Sequence, residues 1–262
     1  MCRKPRKPWE LMPAWRKNEK FATHRGYGKR GEIGENTIAA FVHSTEKGFF
    51  YHELDVRATK DNKIILFHGP LLESTTSGKG RLEDLDSSDL IKIDWDDYLK
   101  NEIFVATPYL EHYFEEVAPK VITNIELKRD WFDTSHGLEA ETVRLIRKHK
   151  LEKRVFISSF NPFALRRFHK LAPDIGIGLL VNPGLFFDFR ETLLRHFTCT
   201  DFIHPPEEAC TKKRIAKWKK KGYSVHVWTV DSLDRAKELI SWGADLIITN
   251  NMDIRDEYNE NP

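Results

Sequence analysis

The chain has 262 residues, of which 40% are hydrophobic and 31% are charged. This size and composition predict one globular domain with enough apolar material for a substantial core. The 42 lysine and arginine residues nearly balance the 40 aspartate and glutamate residues, which leaves a formal net charge of +2. A field of the whole molecule that attracts nucleic acid is therefore excluded, and any selectivity for anions must be local.

The first twenty residues concentrate positive charge around two tryptophans, Trp9 and Trp15. This basic extension over residues 1–20 has two open interpretations, a solvated tail or a weak peripheral contact with an anionic membrane surface. No secretory-type apolar segment follows the basic residues, and no run approaches the roughly 20 apolar residues that a spanning helix needs. We therefore predict a cytoplasmic location. The three cysteines lack metal-type spacing and are predicted to be ordinary thiols.

From residue 21 onward, short runs of β-forming residues alternate with segments of helical periodicity. Such an alternation predicts a parallel sheet that is covered by helices. Eight strands are predicted, at Phe21–Arg25, Phe50–Val56, Val121–Leu127, Arg154–Ser159, Ile175–Val181, Asp201–His204, Ser224–Val230 and Asp245–Thr249. Seven helices fit between them, which favours an α/β fold with a single-domain (β/α)8 TIM barrel over residues 21–256, while an open doubly wound sheet stays possible.

Three helix boundaries carry recognisable signals. Thr107-Pro108 and Asn161-Pro162 each combine an N-cap residue with a proline at the first helical position. Asp231 precedes a helix that Gly243 terminates.

One segment after the second barrel strand interrupts the alternation. The stretch between Asp55 and His68 is too short for a crossover helix, so we predict a β-hairpin extension there. A two-residue turn at Asp61-Asn62 places His68 opposite Asp55. Residues 69–106 then form a predicted insertion with a short helix around Leu85–Ile91, at the border of the site mouth.

Charged residues occur where two predicted strands end. Glu53 and Asp55 are two positions apart on one strand, and Glu126 and Lys128 have the same spacing on another. Side chains two positions apart share a face, and functional residues of such barrels lie at the carboxyl ends of the strands. Three carboxylates without metal-spaced cysteines or histidines favour a divalent cation of the type Mg²⁺, Ca²⁺ or Mn²⁺.

Two histidines and an arginine complete this group of residues. His24 and Arg25 lie at the end of the first strand, and His68 follows the returning arm of the hairpin. A phosphodiester repels nucleophiles and its leaving alkoxide needs a proton. The cation and the fixed positive charges address the first problem, and the imidazoles address the second. The residues therefore predict the cleavage of a phosphate ester.

Short motifs along most of the chain carry a resemblance to a known family. The chain resembles the glycerophosphodiester phosphodiesterases, whose (β/α)8 barrel is like that of the phosphatidylinositol-specific phospholipases C. The motifs are His24-Arg25-Gly26, Gly34-Glu35-Asn36-Thr37, Ala39-Ala40-Phe41, Glu53-Leu54-Asp55-Val56-Arg57, Thr59-Lys60-Asp61, Phe67-His68, Asn124-Ile125-Glu126-Leu127-Lys128, Ser158-Ser159-Phe160, Val227-Trp228-Thr229-Val230 and Ile247-Ile248-Thr249-Asn250.

The resemblance implies a role for each site residue. It implies that His24 and His68 are the acid/base pair, that Glu53, Asp55 and Glu126 are metal ligands, and that Arg25 and Lys128 hold the phosphate. It also implies that Trp228 packs against the glycerol or the leaving group, and that Glu35 lies beside the site, where it touches the metal or orients Arg25. The implied activity is metal-dependent hydrolysis of a small glycerophosphodiester to sn-glycerol 3-phosphate and an alcohol.

Three positions depart from the family pattern. Gly34 replaces a common proline, Gly69 replaces a common aspartate after the second histidine, and Asn250 stands where aspartate is common. Two alternative functions stay open, a lysophospholipase D-like activity on lysophospholipids and a non-catalytic phosphate-binding barrel. His204 and His226 are predicted to lie outside the site, with His226 a hydrogen-bonded core residue.

Overall fold

The sheet of this protein closes on itself. The structure, a computed structural model, describes residues 4–26, 33–95, 104–129, 137–182, 194 and 197–260. Eight parallel strands follow one another around the sheet, and β1 pairs with both β2 and β9. The strands are β1 Phe21–His24, β2 Tyr51–Ala58, β3 Ile64–Leu66, β4 Ile122–Leu127, β5 Val155–Ser159, β6 Gly176–Leu180, β7 Phe202–His204, β8 Ser224–Val227 and β9 Leu246–Thr249. The predicted TIM barrel and its eight strands are confirmed, and the open sheet is wrong.

Helices in the described parts of the chain cover the outside of the barrel. They are α1 Pro8–Leu11, α2 Ile38–Glu46, α3 Leu110–Glu116, α4 Gly137–Lys148, α5 Pro162–Leu171, α6 Lys212–Lys220, α7 Leu233–Ser241 and α8 Ile254–Glu260. Asn161 caps α5 as predicted, because its side-chain oxygen accepts from the N–H groups of Phe163 and Ala164. The predicted start at Thr107-Pro108 is wrong, since α3 begins at Leu110 and the Thr107 hydroxyl instead bonds Trp95 Nε1.

The predicted hairpin is present, but its register is shifted by one residue. Val56 pairs with Leu66, and the backbone N–H of Phe67 donates to the Asp55 carbonyl at 3.0 Å, so Phe67 and not His68 lies opposite Asp55. The turn has three residues between Thr59 and Lys63, which bond each other across it. Asn62 adopts φ 62° there, the left-handed conformation that closes a three-residue loop.

The insertion folds back onto the hairpin through a small apolar cluster of its own. Its described residues include the 3₁₀ helices Leu72–Ser74, Leu82–Asp84 and Ser87–Lys92, so the predicted short helix is present as a 3₁₀ turn. The cluster joins the hairpin residues Ile65 and Phe67 to buried side chains of the insertion, namely Leu72, Leu82, Leu90, Ile93 and Trp95. The insertion thereby packs beside the carboxyl end of β2.

The residues before β1 close the opposite end of the barrel. Leu11 and Met12 are buried in a cluster with residues from the amino ends of the strands, among them Tyr51 and Ile122. The Tyr51 hydroxyl donates to the Arg16 carbonyl and accepts from the Arg16 N–H. The solvated-tail interpretation is therefore wrong for the described residues 4–20.

A buried ion pair fixes the start of this segment. The Arg6 guanidinium lies 2.9 Å from the Asp201 carboxylate, which is fully buried, and Arg6 also donates to the carbonyl oxygens of residues 173–175. Because a buried carboxylate needs a partner, Arg6 compensates a charge inside the barrel wall.

Two further observations concern the cysteines and the helices. Cys210 is a free, buried thiol, as the sequence predicts. Among the described residues, no helix has the length and apolar character to cross a membrane.

Buried histidines make the stability of the barrel depend on pH. Burial lowers the pKa of His52 and of His226 to about 3. Below the ordinary pKa of about 6.5 the unfolded chain binds protons that the native state excludes, so stability is present above that pH and is lost as the pH falls. We expect each histidine to cost about 1.4 kcal/mol per pH unit near pH 5, measured by urea unfolding. His226→Phe should reduce the slope, and an unchanged slope would contradict this assignment.

Candidate active site

The register of three neighbouring strands assembles the charged residues. His24 at the end of β1 pairs with Glu53 of β2, and Asp55 of β2 pairs with Glu126 of β4. Because the strands are parallel, these positions lie at the carboxyl end of the barrel. The structure thus brings together residues that are far apart in the sequence.

The three acids form a compact and buried cluster. Glu53, Asp55 and Glu126 each offer a carboxylate oxygen, and these oxygens lie within 4.8 Å of one another. Their exposed fractions are 3%, 1% and 7%. Carboxylates this close repel one another, so the cluster requires positive charge.

Two fixed cations reach the cluster from opposite sides. Arg25 Nε lies 3.1 Å from Asp55 Oδ2, while Lys128 Nζ lies 3.1 Å from Asp55 Oδ1 and 2.6 Å from Glu126 Oε1. Arg25 adopts φ 59°, and its backbone N–H donates to Glu53 Oε2 at 3.0 Å. Gly26 follows at φ 59°, where an added Cβ would overlap the Phe41 ring.

These contacts leave the acids with more negative charge than the two cations neutralise. Burial would raise the pKa of Asp55, but Lys128 and Arg25 outweigh it and hold that pKa well below its usual range. Burial raises the pKa of Glu126 to about 7 despite Lys128. Burial and the neighbouring Asp55 raise the pKa of Glu53 well above its ordinary value. A divalent cation between these carboxylates would stabilise their ionised forms against the same burial and repulsion.

The donor set fits a hard divalent cation. It contains oxygen atoms alone, and Asp55 Oδ1 and Glu126 Oε1, which are both buried, share Lys128 Nζ as their cationic neighbour. Hard cations of the Mg²⁺ and Ca²⁺ type prefer such ligands, while zinc prefers nitrogen and sulfur. When bound here, the cation would neutralise charge on a phosphate oxygen.

Metal binding should therefore stabilise the fold. We expect saturating Mg²⁺, Ca²⁺ or Mn²⁺ to raise the free energy of unfolding by about 2.7 kcal/mol at 100 times Kd, measured by melting with and without chelator. Glu53→Gln should remove the effect. A second group, Glu111, Glu115 and His149, is more exposed, so Glu115→Gln is the matched control and should retain it. Loss of stabilisation in Glu115→Gln alone would place the metal elsewhere.

Both predicted histidines face this cluster across a cleft. Burial and Arg25 lower the pKa of His24 to about 4, and burial lowers the pKa of His68 to about 4. His24 Nε2 lies 4.0 Å from Glu53 Oε2. Each ring is therefore neutral near pH 7 and has a nitrogen able to accept a proton.

The cleft has a charged half and an apolar half, with a volume of about 400 Å³ including the part open to solvent. The charged half is lined by two of the acids, Glu53 and Glu126, by the cations Arg25 and Lys128, and by both histidines. The walls of the apolar half come from Phe160, Leu180, Ile248 and Trp228, whose indole Nε1 donates to the His204 carbonyl at 2.8 Å. His204 itself lines the cleft, although the sequence analysis left it out.

Glu35, the remaining predicted residue, lies beside the cluster. Its carboxylate accepts from Arg25 Nη1 at 2.9 and 3.1 Å, which orients the guanidinium toward Asp55. In the described structure the group of acids able to hold a metal contains Glu53, Asp55 and Glu126 and omits Glu35.

Sequence reasoning missed two asparagines that hold site residues. Asn36 Nδ2 donates to Asp55 Oδ2 at 3.0 Å, and Asn36 Oδ1 accepts from the Asp55 N–H at 3.2 Å. Asn250 Oδ1 accepts from His24 Nδ1 at 2.9 Å. Asn36 adopts φ 56°, a conformation that asparagine tolerates, and its place in a family-like motif was the available signal.

A buried cluster of three carboxylates that can hold a metal ion, beside two histidines in a TIM barrel, is typical of enzymes that hydrolyse phosphate esters. The model of the glycerophosphoryl diester phosphodiesterase family matches residues 24–254. A glycerophosphodiester phosphodiesterase of Caldanaerobacter subterraneus subsp. tengcongensis is 34% identical over 229 residues, which span 86% of this chain and 91% of that protein. The chain therefore belongs to the glycerophosphoryl diester phosphodiesterase family, and the predicted family and enzyme class are confirmed.

Solved structures agree with this fold. A phosphodiesterase of Oleispira antarctica in complex with the product sn-glycerol 3-phosphate matches with a TM-score of 0.83 and 23% identity, over 97% of this chain and all of that chain. A putative glycerophosphodiester phosphodiesterase of Galdieria sulphuraria matches with a TM-score of 0.78 and 27% identity, over 92% of this chain and 98% of that chain.

Proposed function

We propose that this chain hydrolyses small glycerophosphodiesters to sn-glycerol 3-phosphate and an alcohol. One observation carries the proposal. Three buried carboxylates, two fixed cations and two neutral histidines lie together at the carboxyl end of the barrel, and all of these residues except Asp55 line the cleft. The product bound to the Oleispira antarctica phosphodiesterase supports the same substrate class for a barrel of this shape.

In this proposal Glu53, Asp55 and Glu126 bind one Mg²⁺, Ca²⁺ or Mn²⁺ ion. Arg25 and Lys128 border the same space, so their charges can attract a phosphate and neutralise the charge that grows in the transition state. Glu35 holds the Arg25 guanidinium in place. These charges act strongly because the site is largely buried.

His24 and His68 are the proposed acid/base pair. One neutral ring accepts the proton of the attacking hydroxyl group, and the other ring, once protonated, gives a proton to the leaving oxygen. The attacking hydroxyl in this proposal is that of the glycerol next to the phosphate, and water then opens the cyclic product. Trapping a cyclic phosphate would support this order, whereas equal turnover of substrates that lack the hydroxyl would contradict it.

Trp228 is proposed to pack against the glycerol or the leaving group. Its ring meets Phe160 edge to face at 5.7 Å, and both line the apolar half of the cleft. An apolar wall next to a charged end suits a substrate with a phosphate and a hydrocarbon part.

A lysophospholipid substrate is the second candidate, and exposed side chains of the insertion favour it. Leu71 is 47% exposed, Ile91 71% and Phe104 55%, and the insertion packs beside the site. The basic N-terminal segment does not support this candidate, because its described residues pack at the opposite end of the barrel. Turnover that rises sharply when the substrate forms micelles would favour the lipid, and such activity would also require peripheral membrane contact.

The predicted cytoplasmic location stays a proposal.

The test is release of glycerol 3-phosphate from diesters with choline, ethanolamine, inositol and glycerol head groups and from a lysolipid. Each is assayed with Mg²⁺, Ca²⁺, Mn²⁺ or chelator. We expect His24→Ala and His68→Ala each to lose at least about 10²-fold in kcat, and His112→Ala, which removes an exposed histidine elsewhere, to match the wild type. Binding of glycerol 3-phosphate without turnover of any diester would instead establish the non-catalytic barrel.

A further inference from the structure

The ring of His24 is hydrogen-bonded to Asn250, the first residue after strand β9. Asn250 Oδ1 lies 2.9 Å from His24 Nδ1, directly after β9. The other ring nitrogen, Nε2, lies 4.0 Å from Glu53 Oε2, too far for a hydrogen bond. Nε2 is therefore the nitrogen that faces the acid cluster.

The orientation of the Asn250 amide follows from its contact with Asp231. The backbone N–H of Asn250 donates to Asp231 Oδ1 at 2.7 Å, and Asn250 Nδ2 donates to Asp231 Oδ2 at 3.3 Å. An ionised carboxylate can only accept hydrogen bonds, so the amide nitrogen must point to Asp231. The amide oxygen then points to His24.

This orientation determines where the His24 proton lies. A carbonyl oxygen only accepts, so His24 Nδ1 must be the donor in the pair. The neutral ring accordingly carries its proton on Nδ1 and a lone pair on Nε2. Asp231 is itself fixed, because it accepts from Thr249 Oγ1 and its carbonyl accepts from Asn251 Nδ2.

We propose that Asn250, oriented by Asp231, is a positioning residue that sets the tautomer of His24. The inference rests on the proposed function, in which a hydroxyl attacks phosphorus. Its O–H bond breaks, the electron pair stays on the attacking oxygen, and a new N–H bond forms at His24 Nε2. The amide oxygen of Asn250 cannot take up the Nδ1 proton at neutral pH, so the imidazolium keeps both protons until it returns one. Neither Asn250 nor Asp231 lines the cleft.

The tautomer can be measured without turnover. In the full chain with ¹⁵N-labelled histidine, the His24 signals are assigned by comparison with His24→Gln. We expect long-range ¹H–¹⁵N spectra near neutral pH to show a protonated Nδ1 and an unprotonated Nε2 in the wild type. Asn250→Leu should shift the ring toward protonation on Nε2, because the acceptor is lost.

Kinetics give the second readout. We expect Asn250→Leu to lower kcat about 10²- to 10⁴-fold with little change in KM, because the wrong nitrogen faces the substrate. Asn250→Asp keeps an acceptor, so it should retain the wild-type tautomer and a kcat within about tenfold of it. Asn259→Ala is the matched control, since it removes an exposed asparagine of α8 that takes no part in these contacts, and it should leave both readouts unchanged.

Two results would overturn the proposal. The first is a neutral His24 ring in the wild type that carries its proton on Nε2. This result would exclude the proposed tautomer without any variant, so it does not depend on whether a variant folds. The second is a folded Asn250→Leu that keeps the wild-type kcat and tautomer. Failure of the proposed function has a different signature, because a wild-type protein without diesterase activity would still report its tautomer.

Discussion

Replacing Asp55 with asparagine is expected to reduce kcat/KM at least about 10³-fold. This carboxylate contacts Arg25, Lys128 and Asn36, and it is 1% exposed. Its neighbours hold its pKa well below the usual range, so it stays charged at every working pH. An amide at this position keeps the shape but removes the charge that the cations and the proposed metal require. Steady-state rates on the substrate identified in the panel, combined with metal titration by calorimetry, provide the measurement.

A graded control separates this effect from a general disturbance of Arg25. Glu35→Gln weakens the other ion pair of the same guanidinium, but Glu35 is 31% exposed at its side chain and lies outside the acid cluster. We expect its activity to stay within about tenfold of the wild type. If Asp55→Asn also kept its activity within about tenfold of the wild type, Asp55 would not be a ligand of the proposed metal.

Replacing Arg6 with alanine is expected to destabilise the protein by about 2–4 kcal/mol, although Arg6 lies in the basic N-terminal segment. The Asp201 carboxylate is fully buried, and Arg6 binds it through its guanidinium and its backbone N–H. The expected loss lies below the largest values for buried pairs because the Arg6 side chain is 23% exposed, so water can partly replace it. Urea unfolding of the full chain measures the change.

Lys17→Ala is the matched control for this prediction. Lys17 belongs to the same segment and carries the same charge, but it is exposed and lies over the Trp9 ring at 4.0 Å. We expect it to cost less than about 1 kcal/mol. Turnover by Arg6→Ala should remain at the wild-type level below its melting temperature, since Arg6 lies at the opposite end of the barrel from the cleft. Equal stability of the two variants would mean that Asp201 does not depend on Arg6.

The local sequence predicted the existence of the hairpin but not its register. The lack of room for a helix between Asp55 and His68 predicted a hairpin correctly, because chain length limits the possible connections. The register depended on two local contacts, the Thr59–Lys63 backbone pair and the left-handed Asn62. The residues are compatible with a two-residue and with a three-residue turn. The insertion favours the three-residue turn, because Ser87 donates hydrogen bonds to the Asp61 carboxylate.

Local patterns predicted the alternating strands and helices and the residue types of the candidate site, since β-forming runs and charges at strand ends can be recognised in short segments. They favoured a closed barrel without excluding an open sheet, and the pairing of β1 with β9 decides between the two. The contacts of Asn36 with Asp55 and of Asn250 with His24 were decided by the tertiary structure alone. In the second pair, 226 positions separate the partners, and closure of the barrel between β1 and β9 brings them together. The position of the N-terminal segment also depends on long-range contacts. Its basic composition is typical of a solvated tail, but in the folded chain Arg6 binds Asp201 and the segment packs on the open end of the barrel. Local patterns specify elements, whereas long-range pairing requires the folded chain.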